Sequence, residues 1–219
     1  MHDDTTERTT DQSLVVASSS FSSLKSLHLK HPMGGLNSSI PSLDDALSFV
    51  KANDMGVIID VKDSSDEMAS AICAQIRVHN LYDRAIVSSF SPFVSYAIKK
   101  NDPNILTGIT FRRWALSTES EDNSVNRHPW YSNWAWSLVD TLTYHSITSF
   151  VLPRFLGTEM ILANHLDVSP SFVVDARKAG FHVVSWTTNS VAEAAFFRSL
   201  EVPLLTDRPD LIVPALRSP

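Results

Sequence analysis

The chain has 219 residues, 43% hydrophobic and 19% charged, a balance that suits one large domain or two small ones with a sizeable core and carries no signature of disorder. Its formal charge of −6, with no basic stripe, excludes nucleic acid as an expected partner, and its single Cys73 excludes an intrachain disulfide framework. The first residues are polar and acidic, so neither a secretory signal nor a transit peptide is expected at this N-terminus.

Residues 11–39 are rich in Ser and contain Gly34 and Gly35, which predicts a loop with one short helix and the least ordered part of the chain. Ser42 and Asp45 then have the spacing of a capping box ahead of LDDALSFVKAN, a predicted helix. GVIIDVKD follows, a short β-branched apolar run bounded by Gly56 and by polar residues, as in a buried strand of a parallel sheet.

The alternation repeats. SSDEMASAICAQIRVHN reads as a helix, AIVSSF as a strand, SPFVSYAIKKN as a helix with Pro near its start, and ILTGITF as a strand. A polar stretch, STESEDNSVNRHP, leads into an apolar region from Trp130 to Leu162. SPSFVVDARKAG then reads as a helix stopped at Gly180, HVVSWTTN as a strand, SVAEAAFFRSL as a helix and VPLLTDRPD as a last short strand and turn.

Alternating strands and helices predict a parallel sheet with crossover helices, either open and doubly wound or closed as a barrel. No Gly-rich phosphate fingerprint follows any strand, which weakens the nucleotide-binding form. Asp60, Lys62, Ser88, Ser89, Arg112, Trp186, Asn189 and Asp207 all fall at the C-terminal ends of predicted strands, where a TIM-type barrel keeps its active site. The predicted fold class is therefore α/β, a TIM-type (β/α) barrel.

Among these residues, Asp60 and Lys62 are two apart at a strand end, so the period of two puts both on one side. A carboxylate and an ammonium so placed can hold a divalent cation and a phosphoryl oxygen, or simply each other, and both readings stay open. His2 beside Asp3 and Asp4 is a general acid or base with a carboxylate nearby, or a solvated terminal residue. Trp186 is an apolar wall for a small ligand or a core residue, with Asn189 a polar contact beside it. The remaining histidines have no spacing that makes a metal site.

Taken in order, HDDTTERTT, IPSLDDAL, DVKD, SSF, TGITFR, VSP, SWTTN and LLTDRPD resemble the glycerophosphodiester phosphodiesterase family, and RRWALS resembles a stretch of its eukaryotic membrane-associated branch. The resemblance runs over nearly the whole chain. It implies a TIM barrel that hydrolyses glycerophosphodiesters to glycerol 3-phosphate and an alcohol with a divalent cation, magnesium or calcium. By that resemblance His2 corresponds to the second of two catalytic histidines, Asp60 to the third carboxylate ligand of the metal, Lys62 to the lysine two residues on, and Trp186 to the aromatic lining the substrate site. Asp3 has an orienting role at most.

The resemblance also implies earlier strands with a His-Arg pair, a Glu-Asn-Thr stretch and a Glu-x-Asp pair, and no such motifs precede HDD here. The expectation is an incomplete barrel without roughly its first two strands, holding its cation poorly and turning over weakly or not at all, or else a non-catalytic binding or regulatory form. One barrel domain over 1–219 is expected, with a helical apolar insertion over 117–162. Asp140 and Pro153-Arg154 interrupt that insertion too often for a membrane span, but the aromatics Trp130, Tyr131, Trp134 and Trp136 suit a membrane interface or a buried lid. The expected partners are a glycerophosphodiester or lysophospholipid and, through 130–162, a peripheral membrane contact, with the protein membrane-associated or cytoplasmic.

Overall fold

The computed structural model describes residues 3–30, 38–120 and 124–217. Contacts within the chain gather into two compact units, Met1–Met55 and Gly56–Pro219.

The first unit is organised by threonines. Thr6 and Thr10 are fully buried, and their hydroxyls donate to the Gln12 carbonyl at 2.7 Å each, while the Leu14 amide donates to Thr6 Oγ1 at 3.0 Å. Single antiparallel bridges join Thr5 to Val15 and Thr10 to Leu29. Arg8 donates to both carboxylate oxygens of Asp3, at 2.6 and 3.3 Å, so Asp3 is already engaged within its own loop. Among its described residues the Ser-rich stretch holds a single 3-10 turn, Val16–Ser18, and one short α-helix, α1 (Phe21–Lys25). The capping box also forms: Ser42 accepts from the Asp45 amide, Asp45 accepts from the Ser42 amide, and α2 (Leu43–Ala52) starts there and buries Leu47 and Val50.

The second unit carries five strands, β1 (Val57–Asp60), β2 (Ala85–Ser89), β3 (Leu106–Phe111), β4 (Met160–Asn164) and β5 (His182–Trp186), all parallel and adjacent in chain order. Helices α3 (Asp66–His79), α4 (Pro92–Asn101), α5 (Trp130–Thr148) with α6 (Val151–Leu156), and α7 (Pro170–Ala179) make the crossovers, and α8 (Val191–Ser199) and α9 (Pro209–Arg217) close the chain. The result is an α/β half-barrel. The helix between β3 and β4 is doubled because the connection is long, and Gly157, at φ +71°, ends α6 just before β4.

Two features of the sequence reading change. The apolar region Trp130–Leu162 is not helical throughout, since its end is β4, a strand buried on both faces whose unbroken hydrophobic run hides it among helical neighbours. The last strand expected in VPLLTDRPD shrinks to a single parallel bridge, Ser185 with Leu204.

Strand register sorts the side chains. Ile109, Phe111, Ile161, Ala163 and Val183 face one way and pack with Val173, Ala176 and Phe197 of α7 and α8. Asp60, Ser88, Thr110, Leu162, Asn164 and Trp186 share the other face. Gly108 gives that face room, because a Cβ there would collide with Leu162 Cδ1.

Asp102, 6% exposed after α4, accepts from the Tyr82 hydroxyl at 2.8 Å, Arg77 at 3.1 Å and the Asn104 amide at 3.2 Å. The Tyr82 bond above all, then Arg77 and the amide, holds its carboxyl below the ordinary carboxylate range against the burial that opposes ionisation. A depressed folded value means the stabilisation is complete above the unfolded carboxylate range and is lost as pH falls through the lowered one. Tyr82→Phe is therefore expected to cost about 1 kcal/mol at pH 7 in urea unfolding, with the difference shrinking once acid protonates Asp102 in both proteins.

Candidate active site

Because all five strands are parallel, their C-terminal ends lie on one edge of the sheet, and Asp60, Ser89, Arg112 and Trp186 stand at or just beyond it. Lys62 Nζ lies 2.8 Å from Asp60 Oδ2, with the two side chains 45% and 42% exposed. The structure thus forms the mutual pair, one of the two readings, and leaves somewhat under half of each side chain exposed. At that exposure the pair itself contributes about 0–1 kcal/mol, so a phosphate can compete for the ammonium at little cost.

Lys62 Nζ also sits 5.5 Å from the centroid of the Phe90 ring. Phe90 in turn meets Trp186 edge to face, with centroids 5.6 Å apart. Asp60, Lys62, Phe90 and Trp186 thus form one continuous patch from β1 across β2 to β5. The Trp186 indole N–H donates to the Leu162 carbonyl at 3.0 Å, which fixes the ring and leaves its face, rather than its donor, for a ligand.

Several polar residues expected at this edge serve the scaffold instead. Ser89 Oγ donates to the Val61 carbonyl at 2.6 Å and accepts from the Ser91 amide at 3.0 Å, pinning the ends of β1 and β2 together. Arg112 donates to the carbonyls of Thr118 and Ser120, which commits its guanidinium to the loop that follows. Asn189 donates to Asp207 Oδ2 at 3.0 Å and accepts from Thr206 Oγ1 and the Asp207 amide, so it ties down the terminal turn. His2 lies outside the described residues.

Three residues matter here that sequence reasoning gave no role. Phe90 links the cation to the tryptophan, and its signal was its place directly after a strand ending in paired serines. Asn164, in register with Trp186, is 1% exposed, and its amide nitrogen has no hydrogen-bond partner among the described residues. Asp140, on α5, accepts from the Leu116 amide at 2.9 Å, the Ser117 amide at 2.8 Å and Ser117 Oγ at 2.6 Å, and so holds the loop after β3 against the helix. No local pattern points to that tether.

A hard divalent cation takes six or more oxygens. Among the described residues no group of three or more His, Cys, Asp or Glu side chains could hold a metal ion, and Asp60, its carboxylate already on Lys62, is a single donor. The described residues do not fit such an ion.

The family model described as the glycerophosphoryl diester phosphodiesterase family matches residues 1–211. The chain belongs to that family. Glycerophosphodiester phosphodiesterase 1 of Rattus norvegicus is 29% identical over 205 residues, covering 91% of this chain and 61% of that protein. Its counterpart from Homo sapiens is 26% identical over 204 residues with the same coverage. The chain thus spans about 61% of the length of these phosphodiesterases. Among solved structures, an Oleispira antarctica phosphodiesterase in complex with the product sn-glycerol-3-phosphate superposes with a TM-score of 0.71 at 20% identity, over 100% of this chain and 78% of that one. A glycerophosphodiester phosphodiesterase from Agrobacterium tumefaciens also gives 0.71, at 18% identity, over 98% and 79%. These likenesses carry the fold, a parallel α/β half-barrel of this family.

Proposed function

We propose that the protein is a phosphoric diester hydrolase for glycerophosphodiesters, releasing glycerol 3-phosphate and an alcohol, and that this chain alone performs the reaction slowly. The carrying observation is the Lys62 ammonium, half-exposed at the sheet's C-terminal edge and continuous through Phe90 with Trp186. In this reading Lys62 neutralises a non-bridging phosphoryl oxygen, and the faces of Phe90 and Trp186 pack against the glycerol carbons. Water adds to phosphorus, the bond to the alcohol oxygen breaks, and that oxygen leaves with a proton. His2 is the group proposed to carry protons, as general acid or base.

Slow turnover follows from the same geometry. A lone Asp60, its carboxylate already on Lys62, holds magnesium or calcium poorly. The test is release of sn-glycerol 3-phosphate from glycerophosphocholine by the full chain, with magnesium or calcium titrated and with chelator. Slow release that climbs through millimolar cation without saturating is expected. Binding of sn-glycerol 3-phosphate with no turnover at any cation concentration would favour the non-catalytic binding form, and neither binding nor turnover would end the reading.

A lipid-derived substrate at a membrane surface is favoured by α5. Trp130, Trp134, Leu138 and Leu142 recur every four residues along it and are all exposed, Trp130 to 84%, while its one carboxylate, Asp140, is buried. A surface helix that is apolar on both sides needs a cover, and tryptophan and tyrosine at one end with aliphatic residues beyond suit a lipid interface. No helix among the described residues is long and apolar enough to cross a membrane, and the contact proposed for α5 is a peripheral one. The chain is expected to cosediment with neutral phosphatidylcholine vesicles, and a Trp130→Ser, Trp134→Ser double variant to lower that partition at least roughly tenfold. Equal partition of the two proteins, or none by either, would remove the interfacial role.

A further inference from the structure

Between the loop that follows β3 and helix α5 lies a cavity of about 220 Å3, walled by Arg113, Trp114, Asp140, Thr141, Tyr144 and His145. None of these residues belongs to the patch of Lys62, Phe90 and Trp186. Sites for drug-sized ligands run from about 300 to 1,000 Å3, so a cavity of this size suits a compact group.

The carboxylates around it are engaged. Asp140 accepts from the Leu116 and Ser117 amides and from Ser117 Oγ. Asp167, 9% exposed, accepts the Arg113 backbone amide on Oδ2 at 2.8 Å, while its Oδ1 stands 3.8 Å from Arg113 Nε, beyond hydrogen-bond length. The Arg113 guanidinium is held elsewhere: its Cζ lies 4.4 Å from the centroid of the Tyr144 ring, and Nη2 donates to the Tyr144 hydroxyl at 2.7 Å. Its side chain is still 51% exposed, and the rest of its N–H fork is left over.

A hydroxyl that accepts a hydrogen bond keeps its own proton to donate. Tyr144 is in that state, and its O–H has no acceptor among the described residues. His145, exposed and edge-on to Tyr144 with ring centroids 5.7 Å apart, adds an imidazole. Trp114 completes the wall from a left-handed conformation, φ +63°, that bulky residues rarely adopt. The Thr118 amide and hydroxyl, donating to the Trp114 carbonyl at 2.8 and 2.7 Å, hold it there.

A guanidinium fork, a phenol and an imidazole without acceptors of their own make a site for an oxyanion. The fork comes from the loop after β3 and the other two groups from α5, and donors converging from two elements suit a tetrahedral group better than a planar carboxylate. We propose that this cavity is a second anion site, apart from Lys62, which binds a phosphate monoester or phosphate itself. It stands whether or not Lys62 binds phosphate. Two sources carry that chemistry, phosphate in solution and the phosphomonoester headgroup of a lipid beneath α5, and the two arms of the test separate them.

In the first arm the full chain carrying Lys62→Met, which removes the proposed active-site ammonium, is titrated calorimetrically with inorganic phosphate. One binding event is expected, weakened about 10- to 100-fold by Arg113→Gln. Arg113→Lys keeps the charge but loses the fork, and is expected to weaken binding nearly as much. Tyr144→Phe removes the phenol donor and is expected to weaken it several-fold, which keeps the test open should the Arg113 variants fail to fold. In the second arm the chain with Lys62 intact is cosedimented with phosphatidylcholine vesicles with and without phosphatidate. A gain on phosphatidate that Arg113→Lys abolishes assigns the lipid headgroup, and Arg113-dependent phosphate binding without such a gain assigns phosphate in solution. Neither phosphate binding nor an Arg113-dependent gain overturns the proposal. So does binding that both Arg113 substitutions and Tyr144→Phe leave unchanged, the mark of diffuse charge attraction.

Discussion

Asp140→Ala is expected to destabilise the second unit by about 4 kcal/mol, a large share of the roughly 5–15 kcal/mol by which a domain is stable. The carboxylate is 4% exposed and accepts three hydrogen bonds, two from backbone amides of the loop after β3 and one from Ser117 Oγ. Alanine strands those donors away from water, and each buried unsatisfied donor costs about 1–3 kcal/mol. Asp140→Asn keeps an acceptor oxygen and the shape of the side chain, so it should lose about half as much. The midpoints of guanidinium unfolding measure both. A shift below about 1 kcal/mol for the alanine variant would mean that the loop is held by something other than Asp140.

Lys62→Met is expected to weaken binding of sn-glycerol 3-phosphate by about 10- to 100-fold, the effect of one charge-assisted hydrogen bond of roughly 1.5–3 kcal/mol. Methionine keeps an unbranched stem over Phe90 and removes only the ammonium, so packing should survive. Stability should change by less than about 1 kcal/mol, since the Asp60 pair is half-exposed. Asp60→Asn separates two roles for the carboxylate. If its part is to hold the ammonium, removing its negative charge strengthens phosphate binding several-fold in the absence of cations. Weaker binding in that variant would point to a carboxylate that positions Lys62. An undiminished affinity in Lys62→Met, measured by calorimetry, would sink the assignment of the phosphate to this residue.

The two variants probe different layers of information. Lys62 stands out because a charged residue two positions from another, directly after a β-branched run, is a local pattern. Asp140 and Phe90 do not, because their importance lies in partners 23 or more residues away, Ser117 and Trp186 among them. Strand β4 was obscured for a related reason: a fully buried parallel strand lacks the alternation that marks a half-exposed one, and only the turn Gly157-Thr158-Glu159 separates MILAN from the helical run VLPRFL.

The sequence by itself determined the alternation of strands and helices, the capping box at Ser42, the stop at Gly180, and the gathering of Asp60, Lys62 and Trp186 at strand ends. Each is encoded by spacing within one element or by the residue types at its boundary. Only the tertiary structure decided which of those polar residues face a ligand and which are consumed by the scaffold, as Ser89, Arg112 and Asn189 are. A donor's availability depends on what packs opposite, and parallel strands joined by long crossovers bring its partners together from distant parts of the chain.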